Sequence, residues 1–203
     1  MFITFEGLDS SGKTTQANLL VDDCRKAGKE VVFVREPGGT AVSERIRGIL
    51  LDKDQIMLAA KTELLLFSAA RAQVVHQVVL PALGAGKIVI CDRFSDSTTA
   101  YQGYGRGLDL TEVLALNRIA TFGQRPDLTI FVDVELHEIQ RRRKASGAVA
   151  DRMESAGEDF YRRVLDGYNA IAKSEPGRMV IVNGMREREA IHREIWDIVT
   201  KKI

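Results

Sequence analysis

Cysteine is scarce. The two in this 203-residue chain, Cys24 and Cys91, show no CxxC spacing and no nearby histidines placed for a metal. A disulfide framework and a zinc site are therefore not expected, whereas reduced thiols in a cytoplasmic protein are. Net charge is lacking too: 29 Lys and Arg stand against 28 Asp and Glu, so no global positive field favours a nucleic-acid partner, and any phosphate must be handled locally. No stretch approaches eighteen uncharged apolar residues, and no basic leader precedes the first apolar run, which argues against a membrane span and against secretion. Repeats, low-complexity tracts and interdomain linkers are absent as well. The length suits one domain over residues 1–203, with room for a lid.

Against these absences stands one dense motif. Gly7-Leu8-Asp9-Ser10-Ser11-Gly12-Lys13-Thr14 follows the apolar run Phe2-Ile3-Thr4-Phe5 and reads as a phosphate-binding loop between a strand and a helix. Gly7 and Gly12 let the backbone N–H groups converge on a β-phosphate at the amino end of the next helix. Lys13 has the reach for the β- and γ-phosphates of ATP, and the Thr14 hydroxyl is a ligand for the accompanying Mg²⁺; Thr15 completes the segment. The bland reading, a chance match in a surface loop, requires the flanking strand and helix to be absent.

Strands are predicted over 2–6, 30–35, 88–92, 128–133 and 179–182, alternating with helices over 14–27, 60–83, 110–121, 158–173 and 188–201. This is an α/β pattern: a mostly parallel five-stranded sheet covered by helices on both faces. Functional residues then belong beyond the carboxyl ends of the strands. Asp92-Arg93 stands at such an end after Ile88-Val89-Ile90-Cys91, placing Asp92 to hold a Mg²⁺-bound water, or else to cap a helix, and Arg93 to clamp an acceptor phosphate. Asp133 has a similar position, but Asp92 is the better metal candidate. Asp9, inside the phosphate loop, needs a metal, an arginine or a nucleoside hydroxyl to offset the phosphates. Beyond the second strand, Glu36 is in place to orient Arg93 or Arg35. Arg47, one helical turn after Ser43, is either a second hand on the acceptor phosphate or a surface arginine.

The one compact basic run, Gln140-Arg141-Arg142-Arg143-Lys144, precedes Asp151-Arg152-Met153-Glu154. Its place after the fourth strand suggests a mobile lid, about 141–155, whose arginines Arg142, Arg143 and Arg152 close over the donor phosphates. Phosphoryl transfer needs that positive charge more than it needs a general base. The competing reading is a solvated basic helix face.

Five blocks in order, GLDSSGKTT at 7–15, REPGGT at 35–40, LLLFSAARAQ at 64–73, DRFSDSTTAYQGYGRG at 92–107 and RPDLTIFVDV at 125–134, closely resemble bacterial thymidylate kinases. The resemblance implies a P-loop kinase fold and Mg²⁺-dependent transfer of the ATP γ-phosphate to dTMP, giving dTDP, in a cytoplasmic homodimer. With Ser10 and Ser11 where the loop of some members holds an arginine, and with its basic run in the lid, the chain looks like the lid-arginine type. The resemblance further implies that Phe67 stacks on thymine and Arg71 donates to the thymine 4-oxygen. Read without it, Phe67 is a core residue. Ser97 or Thr98, with Gln102, fall where the family reads the base edge, and Tyr101 where it crowds the ribose 2′ position. The Ala-rich stretch before Asp151 leaves the register of Arg142, Arg143 and Lys144 open.

Three other readings remain at this stage. A kinase for UMP, CMP or AMP would share the phosphate machinery. A deoxynucleoside kinase would need a base near the 5′-hydroxyl. A P-loop switch or nucleic-acid-handling ATPase would hydrolyse ATP without an acceptor.

Overall fold

Five strands, β1 (Phe2–Glu6), β2 (Val31–Arg35), β3 (Ile88–Asp92), β4 (Leu128–Asp133) and β5 (Met179–Asn183), run parallel in the order β2-β3-β1-β4-β5. The computed structural model describes residues 1–52, 58–147, 152–153 and 157–202. Every residue of β1 and β3 is buried, as parallel strands covered on both faces require. Successive side chains alternate between two cores. Ile88 and Ile90 join the larger one, with α1 (Lys13–Lys26), α8 (Glu158–Ser174) and α9 (Arg188–Thr200), while Val89 and Cys91 join a smaller one that includes Val74, Val75, Val79 and Phe94. The expected sheet and its helices are thus present, with strand bounds displaced by one residue at β2 and β5.

Three helices lie outside the spans predicted from periodicity. Those are α2 (Ala41–Leu51), which holds Ser43 and Arg47 at the expected helical spacing, α5 (Ser95–Thr98), which continues as a π-helical turn Thr99–Gly105, and α7 (Leu136–Ser146), which carries the basic run. In α7 the only large apolar residues are Leu136 and Ile139, too few to trace a 3.6-residue stripe. The helix predicted over 60–83 is α3 (Ala60–Val74), a π-helical turn Val75–Val79 and α4 (Leu80–Gly84). Pro81 has no N–H to return to the Gln77 carbonyl, and the π turn lies where the regular ladder fails. The remaining helix is α6 (Leu110–Ala120), which packs on α3.

The continuous helix Ala60–Gly84 is long and apolar enough, by length and composition alone, to cross a membrane, although it is not an uncharged stretch. Yet it carries Glu63 and Arg71, exposed by 1% and 2%, and both are ion-paired to other parts of the protein. It is built into the fold as a core helix.

The sheet ends in a buried charge. Glu6 closes β1 at zero exposure, and burial, reinforced by nearby Asp96 and opposed by Arg93, pushes its carboxyl up to about 7. Between the ordinary carboxyl value and about 7 the folded protein holds a proton that the unfolded chain has released. Glu6 should therefore lower stability as pH rises through that window, by roughly 3 kcal/mol in all. Urea unfolding at a series of pH values should show a decline between about pH 5 and 7 that is flattened in Glu6→Gln. Parallel curves for the two proteins would remove Glu6 as its source.

Candidate active site

The loop between β1 and α1 is shaped for an anion. Gly7 has φ 139°, and a Cβ there would lie 2.7 Å from the Val132 carbonyl oxygen. Gly12 stands at φ 94° as the N-cap of α1, and Ser10 also adopts a left-handed backbone. No side chain caps α1 and no acid lies in its first turn, so its amino end is open to a phosphate. Leu8 points into the core and has only its backbone to offer. Lys13 lies 3.2 Å from Asp9. Beside this loop runs a groove lined by Ser11, Gly12, Thr15, Gln16, Arg142 and the segment Gly184-Met185-Arg186-Glu187-Arg188.

Thr14 donates its hydroxyl hydrogen to Asp92 Oδ2 at 2.5 Å, and Asp92 Oδ1 is buried with no hydrogen-bond partner among the described residues. An all-oxygen pair with a spare carboxylate oxygen, beside a phosphate loop, suits Mg²⁺, which takes few protein ligands and completes its shell with water and phosphate. The described residues hold no cluster of three or more metal-ligating side chains, in keeping with that sparse mode. Asp92 as a helix cap is not what the geometry gives: α5 has no side-chain cap.

On the other side of Lys13 a pocket opens, lined by Asp9, Glu36, Pro37, Arg47, Leu51, Phe67, Arg71, Arg93, Ser97, Thr98, Tyr101, Gln102 and Met153. It unites every acceptor-side residue named from the sequence. At one end Arg93 bonds Asp9 (2.7 Å) and the Tyr101 hydroxyl (3.2 Å) through Nη2, and the hydroxyls of Ser97 (3.0 Å) and Tyr168 (3.3 Å) through Nη1. Burial opposes the charge on Asp9, but Arg93 and Lys13 outweigh it and hold the carboxyl far below the usual range. Of the three alternative partners named for Asp9, the protein itself supplies the arginine.

At the opposite end Arg71 donates to Glu36 (2.7 Å), Thr98 (2.7 Å), the Phe94 carbonyl (3.0 Å) and Asn117 (3.4 Å), with its guanidinium over the Phe94 ring. Four of its five N–H groups are engaged, which leaves one on Nη2 for a ligand. The assignment of Glu36 to Arg93 or Arg35 is corrected: Glu36 orients Arg71, while Arg35 pairs with Glu44. Burial raises the Glu36 carboxyl despite Arg71, and its Oε1 is buried without a hydrogen-bond partner among the described residues. Arg47 lines the pocket and donates to the Pro37 carbonyl. The two hydroxyls left as alternatives part company: Ser97 belongs to the Arg93 end and Thr98 to the Arg71 end. Gln102 is anchored to Glu63 at 2.9 Å.

Of the lid expected over about 141–155, the structure describes residues 141–147 and 152–153. The basic run is part of α7, and its arginines diverge. Arg142 alone reaches the phosphate loop, donating to the carbonyls of Ser11 (3.1 Å) and Gly184 (2.9 Å) with Glu138 behind it. Arg143 turns to the Tyr161 hydroxyl and ring. Arg152 is on the acceptor side, bonded to the Leu50 carbonyl and ion-paired with Glu63 at 2.7 Å, beside Met153 of the pocket. Asp151 and Glu154 lie outside the described residues.

Sequence reading missed Glu6, Glu63, Asn117 and Tyr168, each buried and bonded to a site residue. The first was legible in principle, as a charged residue ending an otherwise apolar strand. Tyr168 gave no signal beyond a helical apolar stripe.

The protein-family model described as thymidylate kinase matches residues 5–195. A thymidylate kinase of Thermoanaerobacter sp. (strain X514) is 45% identical over 200 residues, covering 98% of this chain and 97% of that protein. One from Pelotomaculum thermopropionicum is 48% identical over 194 residues, covering 96% and 90%. The crystal structure of thymidylate kinase from Ehrlichia chaffeensis superposes with a TM-score of 0.80 at 37% identity, covering 98% of both chains. With the phosphate loop, the donor groove and the acceptor pocket on one edge of the sheet, and with these likenesses spanning its length, the chain belongs to the thymidylate kinase family.

Proposed function

We infer that this protein transfers the γ-phosphate of ATP to dTMP, forming dTDP and ADP, and that residues 1–203 work as one cytoplasmic domain. The observation that carries the reading is the pocket with an arginine at each end, the buried Arg71 for a base and the partly buried Arg93 for a phosphate, opening beside Lys13. Thymine presents a carbonyl where cytosine presents an amino group. The remaining Arg71 N–H donates to the first and meets the second donor to donor. Phe67 supplies an apolar face for the ring, and Tyr101 fills the space beside the sugar.

In the mechanism that follows, donor phosphates sit at the amino end of α1, with Lys13 on the oxygens that gain charge. Arg93, braced by Asp9, holds the acceptor phosphate against them, so that catalysis is mainly positioning and charge stabilisation. Arg142 borders the donor groove and is the arginine of α7 best located to add positive charge there. Thr14 and Asp92 are the residues to hold Mg²⁺, which when bound neutralises charge on the donor phosphates. Arg152, paired with Glu63, serves the acceptor side.

A homodimer is proposed through α3 and α6. These adjoining helices expose Leu65, Leu110, Leu114 and Ile119, with Phe122 just beyond, a density of apolar surface that marks a protein contact.

Substrate profiling tests the function directly: dTMP should be the preferred acceptor over dUMP, dCMP, UMP, CMP and AMP, and ATP hydrolysis without an acceptor would favour a switch instead. Lys13→Ala should lower kcat by about 100-fold or more and leave folding intact, because Asp9 keeps Arg93 as its partner; near-normal turnover would overturn the donor assignment. Arg71→Lys retains a cation beside Glu36 but loses the fork. It should cost dTMP kcat/KM about 1–3 kcal/mol, while the KM for ATP stays put. Sedimentation equilibrium should give a dimer that Leu114→Glu converts to monomer, whereas an unchanged dimer would place the interface elsewhere.

A further inference from the structure

Glu6 is the residue that the acceptor chemistry leaves unexplained. It is fully buried, and it lines neither the pocket nor the donor groove. A carboxyl so placed carries a desolvation penalty of several kcal/mol, which an apolar side chain of similar size would avoid. Its oxygens take three hydrogen bonds: Oε1 from the Phe94 backbone N–H at 2.8 Å, and Oε2 from the hydroxyls of Ser97 at 2.5 Å and Tyr168 at 2.9 Å. All three donors adjoin Arg93. Phe94 follows it in the chain, and the two hydroxyls accept from its Nη1.

The guanidinium is therefore gripped by two edges. Its Nη1 edge is sunk among Ser97 and Tyr168, both backed by Glu6, whereas its Nη2 edge meets Asp9 and Tyr101 at the pocket. A guanidinium is planar, so fixing one edge sets the aim of the other. The backbone needs holding as well. Arg93 has φ 72°, a left-handed conformation that a non-glycine residue keeps only where its surroundings enforce it. The bonds from Phe94 N–H to Glu6 and from Arg93 N–H to the Phe5 carbonyl at 2.9 Å brace it on either side.

We propose that Glu6 is a positioning residue for the acceptor phosphate: acting through Ser97, Tyr168 and the Phe94 N–H, it sets the aim of Arg93 without touching either nucleotide. The proposal rests on the acceptor-pocket reading above. The chain of donors is self-consistent, running from guanidinium N–H to hydroxyl oxygen and from hydroxyl hydrogen to carboxylate, and such chains strengthen by mutual polarisation. It also accounts for a tyrosine at 168. Its ring stacks on Phe131 at 4.8 Å, a contact that phenylalanine would make equally well, so the hydroxyl is the part that the apolar core does not explain.

Calorimetric titration of the full chain with dTMP and with thymidine, which has the base and sugar but no phosphate, isolates the phosphate contact. In Tyr168→Phe and Glu6→Gln the affinity for dTMP should fall about tenfold, while thymidine affinity and the KM for ATP stay at wild-type values. Unchanged dTMP affinity, or equal weakening of dTMP and thymidine, would make Glu6 merely structural and overturn the proposal. If the wild-type protein does not bind dTMP more tightly than thymidine, the acceptor-pocket reading itself fails, a result separable from the variants' behaviour. Tyr168→Phe preserves the ring packing and decides the matter alone should Glu6→Gln not fold.

Discussion

A carboxylate withdrawn from water must be answered by donors within reach, and at the carboxyl edge of this sheet three of them are so withdrawn. Glu6, Glu36 and Asp92 are each exposed by 4% or less, and each is answered differently. Glu36 takes the Nε–H of Arg71, Asp92 takes the Thr14 hydroxyl, and Glu6 takes two hydroxyls and a backbone N–H. The parallel sheet forces this crowding, because every strand delivers its last residue to the same edge. Removing Arg71 from its ion pair with Glu36 would leave a buried charge alone, at a cost of about 3–5 kcal/mol. The carboxylates that hold the residues of the pocket and the phosphate loop in place are thereby also residues that the fold cannot lose cheaply.

How far this was legible in the sequence depended on whether the signal was local. The glycine loop, the strands and the Asp92-Arg93 pair were readable because their chemistry is written in consecutive residues. α7 was not, because its charge hides its periodicity. The partner of Glu36 was misjudged for a different reason. Arg35 is its chain neighbour and Arg93 follows the adjacent strand, yet the arginine that meets it comes from α3, 35 residues on. Only tertiary packing brings α3 over the turn after β2. Tyr168 belongs to the same class, reaching Glu6 across 162 residues.

The three arginines grouped as a lid illustrate the limit of reading charge as a block. Arg142 and Arg143 are adjacent in α7, hence about 100° apart around the helix axis, and in this structure they meet different partners. Arg142 bridges the carbonyls of two loops, Arg143 packs on Tyr161, and Arg152 joins Arg106 on Glu63. The three arginines thus meet three different parts of the fold.

Arg71 has a consequence for recognition that lies in entropy. A free arginine side chain carries about 2 kcal/mol of rotamer freedom, and a ligand that captured such a residue would have to overcome that loss on binding. Here Glu36, Thr98, Phe94 and Asn117 immobilise the guanidinium before any ligand arrives. The ordering is complete when the chain folds, so a base carbonyl reaching its remaining N–H meets a donor already aimed and already still.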